Sequence, residues 1–243
     1  MPASIMFGDR ALPWVDSWAH LGNELNRFDM SWQRKCSMDT DSFNKRVKFI
    51  GKFHSLRQQF GFANPKVIFK ILNIYATSFY GSNLWNFSSQ GCTRLFTSWN
   101  IMIRNVWGLS NVAHKYLMEH VSGSKHIRTI IFQRFLTFIQ SLRNSKKRCL
   151  SALADFVVND QGSTTCQNLN LITKESGLSY ILDWNPNIVK DSIVYKQIPE
   201  EDYWKVDILD ELLQLRTGDL IFEGDEGLNS DEVQALIKWV SSM

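Results

Sequence analysis

The basic and acidic residues of this chain are segregated, and this segregation constrains its fold more than any other feature. Residues 42–154 carry seventeen Lys and Arg residues and a single acid, Glu119, whereas residues 155–243 carry six Lys and Arg residues and seventeen acids. The whole chain has a net charge of only +3. Helix surfaces normally mix signs, because opposite charges four residues apart stabilise a helix. A middle block with one carboxylate therefore needs an anionic partner, either outside the chain or in the acidic segment that follows it.

A phosphate backbone is the natural partner for such a block. Each phosphate that a Lys or Arg neutralises releases a condensed counterion, which favours binding at low salt. The alternative is that the acidic segment packs on the basic block and screens it within the chain. The two are compatible, and the charge pattern favours contact with nucleic acid.

Periodicity and turn residues predict a mainly α-helical protein in three regions. The chain has 243 residues, 44% of them hydrophobic, so it can bury a core in one or two domains. Residues 1–38 contain short apolar runs around Gly8-Asp9-Arg10, which predict a small antiparallel β-ribbon. Residues 39–160 predict a basic helical bundle, and residues 161–243 predict a second, smaller and acidic helical segment.

Apolar residues at spacings of three and four predict the individual helices. The first is capped by Asp39, Thr40 or Asp41 and runs to about Gly61, with an apolar stripe formed by Phe43, Val47, Ile50, Phe53 and Leu56. The second begins at Pro65, runs to about Tyr80 and is apolar around most of its circumference, which predicts central burial. Asn144 or Ser145 can cap a helix that ends near Asn159. The others are predicted near residues 90–107, 112–120, 125–142, 166–175, 199–216 and 230–239.

Basic residues off the apolar stripe of the first helix are the best candidates for contact with phosphates. They are Lys45, Lys48, Lys52 and Arg57, to which Lys66 and Lys70 of the second helix can be added. A second cluster comprises Arg143, Lys146, Lys147 and Arg148. Cations at the start of a helix are unfavourable unless phosphates lie there. The alternative for the first group is a solvated helix face, and for the second a nuclear-localisation tract.

No residue pattern in the chain predicts catalysis. Phosphoryl transfer by a polymerase needs carboxylates that hold two Mg²⁺ ions. Asp39 and Asp41 are the nearest paired acids and are interpreted as a helix cap, while the acids at residues 223–226 are interpreted as a solvated loop. The five histidines lie at no triad-like spacing, and no phosphate-binding glycine motif is present. We therefore predict no cofactor for this chain.

Several other side chains have two interpretations. Trp14, Trp18 and Trp85 are interpreted as core residues, with base stacking as the alternative. Arg104 lies among apolar residues, and this position favours either a buried ion pair or a phosphate contact. The four cysteines are too scattered for a zinc site and are interpreted as reduced thiols. With neither a signal peptide nor a long apolar run, we expect an intracellular protein of the cytoplasm, the nucleus or both, with no membrane partner.

Four stretches resemble one family of enzymes, the reverse transcriptases of LINE-type, jockey-like non-LTR retrotransposons. They are residues 14–22 (WVDSWAHLG), 75–85 (YATSFYGSNLW), 99–110 (WNIMIRNVWGLS) with His114, and the C-terminal part from Trp204 to Trp239, which contains ELLQLRTG at residues 211–218. The first is similar to the aromatic-Leu-Gly strand that follows the palm motifs, and the second to the end of a thumb helix. His20 stands where the family has Tyr or Phe, and Ser110 where Pro is usual. The order and spacing of the four stretches carry the resemblance across nearly the whole chain.

The resemblance implies the thumb and post-thumb region of an RNA-directed DNA polymerase. Residues 1–38 would be a remnant of the palm, with Trp18, His20, Leu21 and Gly22 in the position of the primer grip, and residues 39–160 would be the thumb. The implied partners are an RNA/DNA template-primer duplex and the missing palm and fingers. Because the catalytic aspartates are absent, Mg²⁺ is expected only in the full-length enzyme, and the chain is expected to be inactive alone. The alternative is a domesticated or relic helical protein-interaction module.

Overall fold

The computed structural model of the chain is mainly helical, as the sequence predicts. It describes residues 6–7, 10–11, 17–20, 23–26, 37–61, 63–177, 200–217 and 230–243. Helices in these ranges are α1 (Ser37–Phe60), α2 (Pro65–Ala76), α3 (Gln90–Trp107), α4 (Lys115–Ser122), α5 (Ile127–Arg143), α6 (Arg148–Asn159), α7 (Thr164–Ser176), α8 (Tyr203–Thr217) and α9 (Ser230–Val240). Short 3-10 segments lie at Ser82–Leu84 and Glu200–Asp202.

Two antiparallel strand pairs lie in the described part of residues 1–38. β1 (Met6–Phe7) pairs with β2 (Arg10–Ala11), and β3 (Ser17–His20) pairs with β4 (Asn23–Asn26). The pairs form separate two-stranded sheets, and the backbone of β4 runs beside α1. One continuous ribbon over residues 1–38 is not shown. Sheets of two strands are marginal by themselves and depend on neighbouring elements.

Helix α3 packs against α1, α2, α4 and α5, and its bounds follow from its sequence. Ser89 caps its N-terminus by accepting a hydrogen bond from the backbone N–H of Cys92 (3.2 Å). Gly108 ends it in the left-handed conformation, with φ of +67°, which glycine adopts without steric cost. The predicted stripe of Leu95, Trp99, Met102 and Val106 is buried. The prediction of a helix over residues 90–107 is confirmed.

One apolar cluster joins buried side chains of α1 to α5 with those of α7, α8 and α9. Aromatic rings dominate its centre: the ring centroid of Phe87 lies 4.9 Å from that of Phe132 and 5.2 Å from that of Phe135. Phe49 packs against Trp99 with 5.7 Å between centroids. Each large side chain withdrawn from water stabilises the fold by about 2 to 3 kcal/mol, so this cluster holds the helices in place.

Helix α1 corrects two predictions. It begins at Ser37, so Asp41 lies inside the helix rather than at its cap, and the Asp41 carboxylate is buried. Phe53 is buried as predicted, whereas Phe43 and Val47 of the predicted stripe are exposed and Phe49 is buried instead. The physical reason is that α1 carries apolar residues on two sides, so periodicity alone does not show which side meets the core.

Helix α2 is shorter and less buried than predicted. It ends at Ala76 rather than near Tyr80. The hydroxyl of the next residue, Thr77, donates to the backbone carbonyl of Asn73, and Phe79 then turns the chain with φ of +20°. Predicted central burial is wrong, because Ile74 is 75% exposed and Tyr75 is 57% exposed. The apolar run in the sequence extends to residue 79, past the end of the helix. Phe79 belongs to the loop, and it is the loop that places Phe79 in the core.

The acidic C-terminal helices also contribute to the core. Asn168 of α7 accepts a hydrogen bond from the backbone N–H of Phe87 (2.9 Å) and donates one to the carbonyl of Trp85 (2.7 Å). Helix α8 packs on α4, and its Leu209 is fully buried. The domain boundary after residue 160 stays a prediction, and these contacts show that α7 lies against the loop before α3 and that α8 packs on α4.

Candidate nucleic-acid interface

Three lysines lie along one side of α1. Lys45, Lys48 and Lys52 follow one another at spacings of three and four residues, which places them on the same side of a helix. Lys48 is exposed, and Lys45 and Lys52 are half-buried. We call these three residues the lysine flank. It contains three of the four candidate residues predicted on this helix.

Lys52 also joins α1 to α2. Its Nζ donates a hydrogen bond to the backbone carbonyl of Tyr75 (2.9 Å) and lies 4.6 Å from the centroid of the Tyr75 ring. A cation is favourable at this position, because the last carbonyls of a helix carry partial negative charge and the ring face attracts an ammonium. The lysine flank therefore borders the C-terminal turn of α2.

Arg57 does not lie on the lysine flank. It is three turns from Arg46 and lies on the same side of α1 as Arg46. That side faces α3, since the Arg46 Nε donates a hydrogen bond to the Ser98 hydroxyl of α3 (2.8 Å). Lys66 and Lys70 are exposed, but they lie on roughly the opposite side of α2 from Tyr75. The structure thus brings together Lys45, Lys48 and Lys52 and leaves these three other candidates on different surfaces.

The second predicted cluster lies at the corner between α5 and α6. Lys146, Lys147 and Arg148 are exposed, and the Arg143 Nε donates to Asp155 of α6 at 3.2 Å. The predicted cap at Asn144 or Ser145 is wrong, because α6 begins at Arg148 and no side chain caps it. The Ser145 hydroxyl instead accepts a hydrogen bond from the backbone N–H of Lys147 (3.2 Å), which tightens the corner before the helix starts.

Acids of the C-terminal segment neutralise part of the basic block. Asp210 pairs with His120 at 2.8 Å, and Glu175 pairs with Arg128. No carboxylate in the described ranges lies within ion-pair distance of Lys48, Arg57 or Lys70. Screening within the chain therefore occurs at α4 and α5, whereas Lys48 on the lysine flank remains exposed.

Glu119, the one acid among residues 42–154, is used within the fold. Its Oε1 accepts a hydrogen bond from the backbone N–H of His126 (2.6 Å), just before α5. The first amides of a helix have no partner within the helix, so a carboxylate here satisfies one and complements the helix dipole.

An open groove of about 770 Å³ lies between the loop after α2 and the side of α5. The loop forms one wall, residues 78–84, and the other wall comprises Gln133, Arg134, Thr137, Phe138 and Ser141. An Nη1 of Arg134 donates to the backbone carbonyl of Ser78 (3.3 Å) and so connects the walls. Burial lowers the pKa of Arg134 from its usual value. The sequence analysis missed this groove, although residues 78–84 lie within one of the family-like stretches.

Several predicted candidates prove to be structural. Trp85 is buried, and its Nε1 donates to the Asp41 carboxylate at 2.7 Å, so it is not available to stack on a base. An Nη2 of Arg104 donates to the backbone carbonyl of Ala113 (2.6 Å), which is neither of the two predicted roles. Burial lowers the pKa of Arg104.

The primer-grip-like residues lie only partly within the described ranges. Trp18 and His20 belong to β3, where they are opposite Leu25 and Asn23. Leu21, Gly22 and the side chain of Trp14 lie outside the described residues, as do the acids at residues 223–226. Their predicted roles stay predictions.

His126 is the one histidine buried among the described side chains. Its Nδ1 accepts a hydrogen bond from the backbone N–H of Arg128 (3.1 Å), and its Nε2 lies 2.8 Å from the Asn100 Oδ1. The neutral Nε2–H tautomer satisfies both contacts. Burial, with the charges of Arg128 and Lys115, lowers the pKa of His126 from 6.5 to about 3. It is therefore a neutral structural side chain.

Comparison with protein-family models, with curated proteins and with solved structures gives no match. Within the described ranges, no group of three or more His, Cys, Asp or Glu residues is placed to hold a metal ion. None of the helices in those ranges combines the length and apolar character that crossing a bilayer requires.

Proposed function

We propose that this chain binds the backbone of an RNA/DNA template-primer duplex through the lysine flank of α1, as the thumb region of a retrotransposon reverse transcriptase. The observation that carries the proposal is the alignment of Lys45, Lys48 and Lys52 within a block whose one acid is occupied in capping α5. Contacts of this kind position a protein on nucleic acid without reading its sequence.

The same proposal assigns the remaining regions. Residues 1–38 would be the remnant of the palm and primer grip, and the helical bundle would be the thumb. Polymerisation would then require the palm and fingers of a larger enzyme, which would supply the carboxylates for Mg²⁺. Such a protein would act in the cytoplasm or the nucleus, where template RNA and target DNA occur.

Charge reversal on the lysine flank tests the proposal. The variant Lys45→Glu/Lys48→Glu/Lys52→Glu is compared with wild type in filter binding to a blunt RNA–DNA duplex over a series of salt concentrations. Each lost phosphate contact reduces the slope of log affinity against log salt by about 0.9. We expect a clear loss of affinity and a shallower slope. Unchanged affinity and slope would remove the lysine flank as the interface.

Two matched variants control this experiment. Lys174→Glu/Lys238→Glu reverses two exposed lysines of α7 and α9 and should leave binding nearly unchanged. The triple Lys→Arg variant of the flank keeps the charge and should retain the slope. Lys48→Glu alone serves as a check, because Lys48 makes no described contact, whereas Lys52 also holds Tyr75; its thermal melt should equal that of wild type.

A protein-interaction module is the second candidate. It is favoured by Tyr203, Trp204 and Ile208 at the start of the acidic helix α8, which are 52%, 41% and 38% exposed. Aromatic residues are enriched at interface hot spots. A protein partner captured by the wild-type chain after nuclease treatment, and lost in a Tyr203→Ala/Trp204→Ala variant, would support this function. Capture that disappears with nuclease would count against it.

A further inference from the structure

The loop wall of the groove is held in a fixed shape by its own buried residues. Phe79 is buried against Phe49 and Trp85, with ring centroids 5.8 Å and 6.1 Å apart. Ser82 is buried, and its backbone N–H donates to the Phe79 carbonyl (3.1 Å). Gly81 has φ of +82°, which favours glycine. A preformed wall loses little conformational entropy when a ligand binds.

The ends of this wall present apolar surface to solvent. Tyr80 is 56% exposed and Leu84 is 46% exposed, although Phe79 and Ser82 of the same loop are buried. An exposed aromatic ring in a concave site offers a flat surface on which a base can stack. The half-buried Phe138 of α5 adds apolar area on the opposite wall.

The wall formed by α5 supplies polar groups of a particular kind. Arg134 is the one charged residue of the lining, which contains no carboxylate. Gln133 and Asn83 bring amide groups, and Ser78, Thr137 and Ser141 bring hydroxyls, all of which can donate and accept hydrogen bonds. A guanidinium is suited to phosphate, and amides are suited to the polar edge of a base. The groove also belongs to the basic block, so its charge is complementary to a polyanion.

We propose that this groove binds an unpaired nucleotide of a single-stranded nucleic-acid segment, with its base on Tyr80 and its phosphate on Arg134. The volume of about 770 Å³ lies within the range typical of small-ligand sites. This inference rests on the proposed function, from which it takes nucleic acid as the class of ligand. It deepens that function because it assigns the duplex and the single strand to different surfaces. The lysine flank holds the duplex, and the groove holds the strand that extends from it.

Three probes separate the two surfaces: a blunt RNA–DNA duplex, the same duplex with an oligo-uridine overhang, and oligo-uridine alone. Fluorescence anisotropy measures the affinity of wild type and of Tyr80→Ala for each. We expect Tyr80→Ala to weaken binding of the overhang duplex and of oligo-uridine by about ten-fold, the usual loss for one stacked base. Its affinity for the blunt duplex should be unchanged. Tyr80→Phe keeps the ring and should bind as wild type does.

Tyr203→Ala is the matched control, because Tyr203 is similarly exposed but lies on α8; it should not change any of the three affinities. Arg134→Gln should weaken oligo-uridine binding and reduce its salt slope by about 0.7, the value for one phosphate of a single strand. Arg134→Lys should retain most of that slope, because it keeps the charge.

The inference is overturned if Tyr80→Ala binds oligo-uridine and the overhang duplex as wild type does. It is also overturned if the substitution weakens binding of the blunt duplex as much as binding of the overhang duplex. Either result leaves the proposed function standing when the lysine-flank variant still loses the blunt duplex. Conversely, oligo-uridine binding that depends on Tyr80 in a protein that does not bind the blunt duplex would support the groove and refute the proposed function. A thermal melt of each variant confirms that it is folded.

Discussion

Asp41 and Trp85 form a buried polar pair that connects α1 to the loop before α3. Both side chains are buried, and the indole N–H of Trp85 donates to the Asp41 carboxylate. Removing one partner of such a pair costs more than the hydrogen bond itself contributes, because the other is left buried and unsatisfied. The pair therefore fixes how α1 lies against the loop.

Trp85→Phe tests the contribution of this pair. The variant removes the donor and leaves the Asp41 carboxylate without a partner in the core, so the free energy of unfolding should fall by about 2 to 3 kcal/mol. Urea unfolding followed by circular dichroism measures it. Trp99→Phe is the matched control for lost volume, since Trp99 is equally buried and its indole donates to no described residue. Equal losses in the two variants would mean that the hydrogen bond contributes nothing.

His126 makes stability depend on pH. Burial lowers the pKa of the folded side chain to about 3, while the unfolded side chain keeps its ordinary value of 6.5. Between these values the unfolded chain binds a proton that the folded chain does not. The stability that His126 contributes is thus complete above pH 6.5 and is lost as the pH falls toward 3.

The test compares the free energy of unfolding of wild type and His126→Asn across this range of pH. Asn keeps an acceptor for the start of α5 but does not titrate, so the variant should lose stability less steeply below pH 6.5. His54→Asn, which changes an exposed histidine, should follow wild type. A His126→Asn curve parallel to that of wild type would contradict the assigned proton state.

Helix α7 makes its buried hydrogen bonds to the loop before α3 through Asn168. Asn168 is buried and satisfies both the Phe87 N–H and the Trp85 carbonyl. Leu169 and Ile172 pack beside it in the apolar cluster. The Asn168 amide, this short apolar face and the ion pair of Glu175 with Arg128 hold the helix in place, and Ser163 caps its start.

Asn168→Ala should destabilise the protein by about 2 to 4 kcal/mol, because it leaves two buried backbone groups without partners. The neighbouring variant Asn170→Ala, at an exposed position of the same helix, should change the free energy of unfolding by less than about 0.5 kcal/mol. Chemical unfolding of both measures the difference. Similar values for the two variants would show that water satisfies the exposed backbone groups.

At the level of helices, the sequence predicted most where local signals agree. For α3, a serine cap, one apolar stripe and a terminal glycine indicate the same bounds, and the structure has them. For α1 the apolar residues lie on two sides, so the choice between Val47 and Phe49 as core residues depends on tertiary packing. For α2 the apolar run includes Phe79, whose burial comes from a turn that periodicity does not predict.

At the scale of the whole molecule, the described ion pairs between the basic and acidic segments lie at α4 and at both ends of α5. Helix α8 packs on α4, where Asp202 accepts a hydrogen bond from the Tyr116 hydroxyl. Burial and the neighbouring Asp202 raise the pKa of Tyr116 well above its usual value. Within the described ranges, the acidic segment thus packs on one part of the basic block, while Lys48 of the lysine flank is exposed.

A chain that ends at Asp160 tests the predicted domain boundary. This truncation removes α7, α8 and α9 and with them buried apolar residues such as Ile172 and Leu209. Because α4 and other parts of the shared apolar cluster become exposed, we expect a lower melting temperature and a broader transition by circular dichroism. A sharp transition at the temperature of the full chain would instead establish residues 1–160 as an independent folding unit.

The charge of the candidate site could be predicted from the sequence, whereas the question of which predicted basic residues share one surface could be answered only in part. The scarcity of acids in residues 42–154 can be read from the sequence, and so can the three-and-four spacing of Lys45, Lys48 and Lys52. The separation of Lys66 and Lys70 from that flank depends on how α2 is rotated against α1, and the contact of Lys52 with Tyr75 shows this rotation. The groove required the loop at Phe79 to be placed against α5, a contact between residues more than fifty positions apart.

The ammonium of Lys52 is shared between the two surfaces. It ties α1 to the last turn of α2, and the loop that walls the groove leaves directly from that turn. A phosphate that draws Lys52 away from the Tyr75 carbonyl would release the base of this loop. If a duplex bound at α1 changes the affinity of the groove for a nucleotide, thermodynamic linkage requires a nucleotide in the groove to change the affinity of α1 for the duplex by the same factor.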